Sequence, residues 1–271
     1  MTFTPGQATD FTDPAGIATL TRAFRKTGRP VVLVPLGAGI HAGHLAAVRA
    51  ARQIRGGIVV VALHEGVNAE MLQTEEVDAV FRYSPESLWP KGMRTVVHAA
   101  DHGLEPAGQL SVELTRLLTL TNLVGPSDLV LGEKDYELLI AVQHAITDLH
   151  LSVKLHGVPT VRTTDGVAMS LRNPEVAAED REKAMVLSAA LTAGAYAAED
   201  GADRVLEVAR SVLSAAGVEV EYLELRSLDL RDAPTEGDAR LLVAATIGGV
   251  RLLDNVGVPV GIGFRNLGEQ E

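Results

Sequence analysis

The stretch 31–44 constrains the fold of this chain more than any other. It begins with four aliphatic residues, continues through a glycine-rich bend and brings His41 and His44 to the start of a helical pattern over 44–54. The amides in the first turn of a helix lack intrahelical partners, so a strand at 31–34, a glycine bend and a helix together predict a phosphate-binding site. His41 and His44 would share one face of that turn and donate to the same phosphate oxygens. The alternative is a pair that caps the helix or lies on the surface.

Further apolar runs indicate a parallel sheet. Strands are predicted at 58–63, 128–131 and 152–156, and helices from Pro14 to Gly28, with Asp13 as N-cap, and from Tyr136 to Leu149. Because the clearest of these runs lack polar alternation, their strands should be buried on both faces, as parallel strands are. Strands that alternate with helices predict a Rossmann-like, doubly wound α/β sheet in a first domain, residues 1–160.

The chain changes character after Pro159. Helices are predicted at about 176–199 and 202–215, and strands at 218–225, 240–245 and 250–253. Gly248 and Gly249 form a natural hairpin turn between the last two strands. These elements predict a smaller C-terminal α+β domain, residues 161–271.

Composition excludes several classes of function. The 271 residues carry a formal net charge of −11, which argues against a nucleic acid partner. There are no cysteines, and therefore no disulfides, thiolate metal sites or cysteine nucleophiles. No apolar run approaches 18 residues, and the N-terminus lacks the features of a signal peptide, so we expect a soluble, cytoplasmic protein that does not engage a membrane.

Two more segments carry chemistry. Lys134 and Asp135 lie where the strand at 128–131 gives way to a helix, the edge at which open α/β sheets bind ligands. Lys134 could reach a polyphosphate, and Asp135 could serve a Mg²⁺ ion held with ATP. Ser170 and Arg172 follow the domain boundary, where Arg172 could stabilise phosphate charge. The alternatives are a solvated helix start and a surface ion pair.

Three motifs in order resemble the pantothenate synthetase (pantoate–β-alanine ligase) family. They are Val-Pro followed by His-x-Gly-His at 34–44, Gly-Glu-Lys-Asp-Tyr at 132–136, and Gly-Val-Pro-Thr-Val-Arg followed by Asp-Gly-x-Ala-Met-Ser-x-Arg-Asn at 157–173. The stretches 222–226 and 240–245 are similar to that family's C-terminal domain. The resemblance implies that ATP activates the carboxylate of pantoate as an acyl-adenylate with release of pyrophosphate, after which the amine of β-alanine displaces AMP. It also implies a nucleotidyltransferase-type fold with a C-terminal lid, and a homodimer.

The nucleotide half of the site follows the family closely. The resemblance implies ATP contacts from Pro35, Gly43, His44, Gly132, Lys134, Asp135, Val161, Met169, Ser170 and Arg172, and catalytic roles for His41, His44, Lys134, Ser170 and Arg172. ATP and Mg²⁺ are the implied cofactors, with no metal site made from protein ligands alone. A carboxylic acid and an amine are the implied small-molecule substrates.

The motifs for binding the acid substrate, pantoate, depart from those of the family. Its Phe-x-Asn-Pro-x-Gln-Phe motif is absent after the strand at 58–63, and the glutamine expected after Lys-Asp-Tyr is replaced by Leu138. The sequence therefore assigns no residue of this chain to pantoate binding. His64 and Glu65 stand near the missing motif, as an exposed loop or as a replacement substrate site. Two alternatives stay open: a ligase or nucleotidyltransferase of the same fold for another acid, and a nucleotide-binding protein that has lost turnover.

Overall fold

A computed structural model describes residues 3–262 of the chain. It divides into two compact units, Met1–Pro159 and Thr160–Glu271. Residues 263–271, which the sequence assigns to the second domain, lie outside the described residues. Within 3–262, no helix combines the length and the apolar character needed to cross a membrane.

The first unit is a parallel sheet with helices. Its strands are β1 (Thr9–Phe11), β2 (Val31–Gly37), β3 (Ile58–His64), β4 (Ala79–Tyr83), β5 (Asp128–Gly132) and β6 (Lys154–Val158), and its helices are α1 (Pro14–Lys26), α2 (Ala42–Arg52), α3 (Glu70–Gln73), α4 (Pro85–Leu88), α5 (Ala107–Val124) and α6 (Tyr136–Asp148). The strands are ordered β1-β4-β3-β2-β5-β6 and all pair in parallel. The predicted doubly wound α/β fold is confirmed.

The apolar runs became the central strands because neither face of the sheet meets water there. All but one of the residues of β2 are buried, as are the first six of β3, and both strands contribute to the apolar clusters on the two sides of the sheet. Asp13 caps α1 by accepting from the amides of Ala15 and Gly16, as predicted, and Gly28 follows the helix with φ +77°.

Some predicted boundaries were wrong by a few residues. Helix α2 begins at Ala42 and not at 44, because His41 itself occupies the N-cap. Strand β6 covers 154–158 and not 152–156, since it pairs with β5 only from Lys154 onward. Strands β1 and β4 and helix α5 are additions to the predicted elements.

The second unit packs helices against an antiparallel sheet. Its elements are α7 (Arg181–Tyr196), α8 (Ala202–Ala215), β7 (Tyr222–Ser227), β8 (Gly237–Ile247) and β9 (Val250–Val260), in the sheet order β7-β8-β9. Ile247 pairs with Val250, so Gly248 and Gly249 form the predicted hairpin turn. The continuous helix predicted at 176–199 was wrong, because its two ends tighten into 3₁₀ turns at 178–180 and 198–200.

One glycine sets how closely α7 approaches its neighbours. A Cβ atom on Gly194 would lie 2.8 Å from Leu241 Cδ2 and 3.0 Å from the carbonyl oxygen of Val205. The helix therefore packs against β8 and α8 at a distance that only glycine allows. The apolar core of this unit, which includes Leu187, Leu191 and Leu241, is built around that contact.

Candidate active site

The carboxyl ends of β2 and β5 bring the first two motifs together. The strands are neighbours in register, with Leu33 opposite Leu129, so they end side by side at the point where the strand order reverses. Helix α2 begins after β2, and Lys134 and Asp135 follow β5. Both charges influence the pKa values of His41 and His44, which places all four side chains at one corner of the sheet. Ligands of open α/β sheets bind at such a switch point.

His41 caps the helix that it introduces. Its Nδ1 accepts hydrogen bonds from the amides of Gly43, at 3.1 Å, and His44, at 3.4 Å. The prediction that these amides are open to phosphate was therefore wrong, because the side chain of His41 already satisfies them. Burial, followed by the charge of Lys134, lowers the pKa of His41. A neutral ring whose Nδ1 accepts carries its proton on Nε2, so the donor available to a ligand is a side-chain N–H.

His44 stacks on His41, so the two side chains lie together as the predicted shared face requires. The ring centroids are 3.7 Å apart and the rings are nearly parallel. Burial is the main cause that lowers the pKa of His44 to about 4, followed by the proximity of His41. Its Nδ1 is buried and accepts no hydrogen bond from the described residues. A hydrogen bond to the backbone of Gly39 acts in the opposite direction on this pKa, so the other ring nitrogen of His44 is engaged within the glycine bend. The donor that this pair offers to a ligand is therefore the Nε2–H of His41.

The second motif supplies the charge. Lys134 Nζ lies 3.4 Å from Asp135 Oδ1, and the lysine side chain is largely buried whereas the aspartate is mostly exposed. Asp135 occupies the N-cap of α6 without a side-chain capping bond, so its carboxylate is not committed to the helix. Gly132 ends β5, Gly43 lies in the first turn of α2, and Pro35 is a half-buried residue of β2.

Asp135 could supply one of the several ligands of a Mg²⁺ ion. A single exposed carboxylate is compatible with Mg²⁺, which takes most of its other ligands from phosphates and water when it binds with a nucleotide. Among the described residues, no three histidine, aspartate or glutamate side chains come together in a metal-binding cluster.

The third motif begins at the end of β6 and, from Thr160 onward, lies in the second unit, where it forms a tight backbone hairpin. The amide of Met169 donates to the carbonyl of Val161 at 2.8 Å, and Gly166 turns the chain with φ +89°. Ser170 Oγ accepts from the amide of Arg172 at 3.2 Å. The guanidinium of Arg172, an exposed residue, donates to the carbonyl of Arg251. The roles predicted for these residues toward ATP stay predictions.

A cluster that the sequence analysis did not identify occupies the ends of β3 and β4. His64 is the last residue of β3, half-buried and in edge-to-face contact with Tyr83 at 4.9 Å. Its interpretation as part of an exposed loop was wrong, whereas Glu65 is exposed. Tyr83 is buried and accepts a hydrogen bond from Arg116 of α5. A lone arginine in a largely apolar helical stretch, three residues after Glu113, was the signal that could have revealed this cluster.

The pKa of His44 predicts a loss of stability in acid. A histidine whose pKa is lower in the folded state is protonated first in the unfolded chain, so the free energy of unfolding falls between pH 6.5 and about pH 4. A lowering of this size corresponds to about 3 kcal/mol. Denaturant unfolding of wild type and His44→Gln at pH 7 and pH 4.5 should show a clearly smaller pH effect in the variant. Equal pH effects in the two proteins would contradict this assignment.

Comparison with known proteins identifies relatives over nearly the whole chain. The family model described as pantoate-beta-alanine ligase matches residues 65–257. The pantothenate synthetase of Corynebacterium jeikeium (strain K411) is 48% identical, covering 98% of this chain and 95% of the relative. That of Mycolicibacterium smegmatis (strain ATCC 700084 / mc(2)155) is 40% identical, covering 96% and 90%.

Solved structures agree in fold. The pantothenate synthetase of Thermus thermophilus has a TM-score of 0.80 at 28% identity, covering 92% of this chain and 98% of that one. A pantoate-beta-alanine ligase from Francisella tularensis, solved in complex with beta-gamma ATP and beta-alanine, has a TM-score of 0.71 at 21% identity, covering 92% and 97%. The second of these likenesses concerns the fold alone.

Proposed function

This chain belongs to the pantoate–β-alanine ligase family, and we propose that it joins pantoate to β-alanine in an ATP-dependent reaction. The observation that carries the proposal is the corner of the sheet at which His41, His44 and Lys134 meet. One cation and two neutral imidazoles beside a strand-to-helix turn suit the triphosphate of ATP. The relatives give no support to a different acid substrate or to a protein without turnover.

The chemistry assigns a distinct task to each group at this corner. A carboxylate oxygen of pantoate attacks the α-phosphorus of ATP, and the bond to the bridging oxygen breaks, so that charge accumulates on the departing pyrophosphate. Lys134 neutralises that charge, and the Nε2–H of His41, with the ring of His44 stacked on it, donates to a phosphate oxygen without requiring protonation. The amine of β-alanine then attacks the acyl carbon, loses a proton and expels AMP.

The finer assignments belong to the same proposal. Mg²⁺ would be held by the phosphates with help from Asp135, and it would neutralise phosphate charge when bound. Pro35, Gly43 and Gly132 would approach the nucleotide. For Val161, Met169, Ser170 and Arg172 of the second unit, we propose the nucleotide contacts that the resemblance implies. We propose a cytoplasmic homodimer.

Pyrophosphate release tests the proposal directly. The purified protein with ATP and Mg²⁺ should release pyrophosphate only when pantoate is added, and should form AMP and pantothenate when β-alanine is also present. Release that does not depend on pantoate, or no release while calorimetry shows that ATP binds, would overturn the proposed function.

A further inference from the structure

The cluster at the ends of β3 and β4 contains a buried cation. Arg116 projects from α5, and only 13% of its side chain is exposed. Its guanidinium donates through Nη1 to the hydroxyl of Tyr83 at 2.7 Å, and through Nε and Nη2 to Glu113 Oε2 at 2.9 and 2.7 Å. Burial of an arginine is costly unless several partners hold it. These bonds fix the plane of the guanidinium.

The guanidinium retains N–H groups that can bind a ligand. An arginine offers five N–H groups, and the bonds to Tyr83 and Glu113 take three of them among the residues that the structure describes. One N–H on each Nη atom remains, so the guanidinium can donate up to two further hydrogen bonds to an anion. Glu113 is 46% exposed, so the carboxylate that balances Arg116 lies toward solvent.

The guanidinium also reaches the strand that leads to the nucleotide corner. A Cβ atom built on Gly37 would lie 4.0 Å from Arg116 Nη2, and Gly37 has φ +79°, where side chains are disfavoured. Gly37 ends β2, and His41 follows four residues later. Because Gly37 has no side chain, the end of β2 places no side-chain atom between its backbone and Arg116 Nη2.

His64 and Leu138 add no negative charge beside Arg116, so Glu113 is the carboxylate that balances it. His64 contacts Tyr83, and burial, followed by the charge of Arg116, lowers its pKa, so it stays neutral. On the adjacent helix, Leu138 stands where the resemblance implies a glutamine, and its side chain packs against the apolar cluster. Helix α6 therefore offers no polar side chain at that position, whereas α5 offers Arg116.

We propose that Arg116, oriented by Glu113 and Tyr83, binds the carboxylate of pantoate in a pocket that lacks the amide side chains implied by the resemblance. This inference rests on the proposed function. Arg116 would hold one carboxylate oxygen and leave the other to attack the nucleotide. Gly37 would give the substrate access, and Tyr83 with His64 would form the wall behind the guanidinium.

Arg116→Met tests the proposal by removing the cation while retaining an unbranched side chain. We expect the KM for pantoate to rise about 10- to 100-fold, the usual effect of losing a charged hydrogen bond, with the KM for ATP changed by less than about threefold. The pantoate KM of Arg116→Lys should lie between those of wild type and Arg116→Met, because lysine keeps the charge but lacks the planar set of guanidinium N–H groups. Arg22→Met, at an exposed position of α1, is the matched control and should behave as wild type.

A neutral analogue separates recognition of charge from structural damage. Pantoamide, the amide of pantoate, has nearly the shape of pantoate but no charge. Its inhibition constant for wild type should therefore be much higher than the KM for pantoate. In Arg116→Met the ratio of the pantoamide inhibition constant to the pantoate KM should fall at least about tenfold, since only the cation discriminates between the two. A merely structural role of Arg116 would change both constants and leave their ratio as it is.

The outcomes distinguish this inference from the proposed function. Wild type that releases no pyrophosphate with pantoate overturns the proposed function, and this inference with it. Active wild type together with an unchanged pantoate KM in Arg116→Met overturns only the inference. If thermal unfolding shows that Arg116→Met does not fold, Arg116→Lys and Tyr83→Phe decide, and an unchanged pantoate KM in both overturns it.

Discussion

Replacing Lys134 with alanine is expected to lower pantoate-dependent pyrophosphate release by about 100- to 1,000-fold, the effect of removing one group aimed at charge in a transition state. Lys134 follows β5 at the switch point of the sheet, and its charge reaches both His41 and His44. No other lysine or arginine of the first two motifs stands at this corner. The charge of the departing pyrophosphate would therefore lose its main protein partner in the first unit.

The measurement is the rate of pyrophosphate release at saturating ATP, with thermal unfolding as the check on folding. Little change in the unfolding temperature is expected, because Lys134 pairs with the mostly exposed Asp135 at 3.4 Å. Lys154→Ala is the matched control, since Lys154 is exposed at the opposite, amino-terminal end of β6. Unchanged pyrophosphate release in Lys134→Ala would contradict the mechanism.

Replacing Arg162 with methionine is expected to lower the free energy of unfolding of the second unit by about 3–5 kcal/mol, as in other proteins that lose one partner of a buried ion pair. Arg162 follows Val161 in the hairpin of the third motif and binds both carboxylate oxygens of Asp254, with Nη2 3.0 Å from Oδ1. Only 3% of the Asp254 side chain is exposed. Without Arg162, the amide of Asn255 would be the one donor to this buried carboxylate among residues 3–262.

Denaturant unfolding checks this prediction, with Arg204→Met on α8 as the control. Arg204 forms an exposed ion pair with Glu207, so its loss should cost less than about 1 kcal/mol. The double variant Arg162→Met with Asp254→Leu should recover much of the loss, because apolar groups leave no unpaired charge. A loss in Arg162→Met no larger than in Arg204→Met would refute the account of the buried pair.

The sequence predicted elements where local pattern and burial agree. The runs that became β2 and β3 are apolar throughout because both faces of the sheet are covered, and Asp13 and Pro14 define the start of α1 by local capping alone. Strand β4 escaped prediction because Arg82 interrupts it, and that charge is compensated by Asp10 on the neighbouring strand. Such compensation comes from 72 residues away in the chain and has no local signature.

The order and spacing of nearby residues were enough to predict the family and the doubly wound fold, and they single out the motifs assigned to the nucleotide. Packing of distant elements was needed to show that the Nδ1 of His41 accepts from its own helix, that His44 is neutral, and that Arg116 contacts Tyr83 across 33 residues of chain. Protonation and hydrogen-bond partners depend on burial and on neighbours from distant elements. Those quantities exist only once the strands and helices have packed.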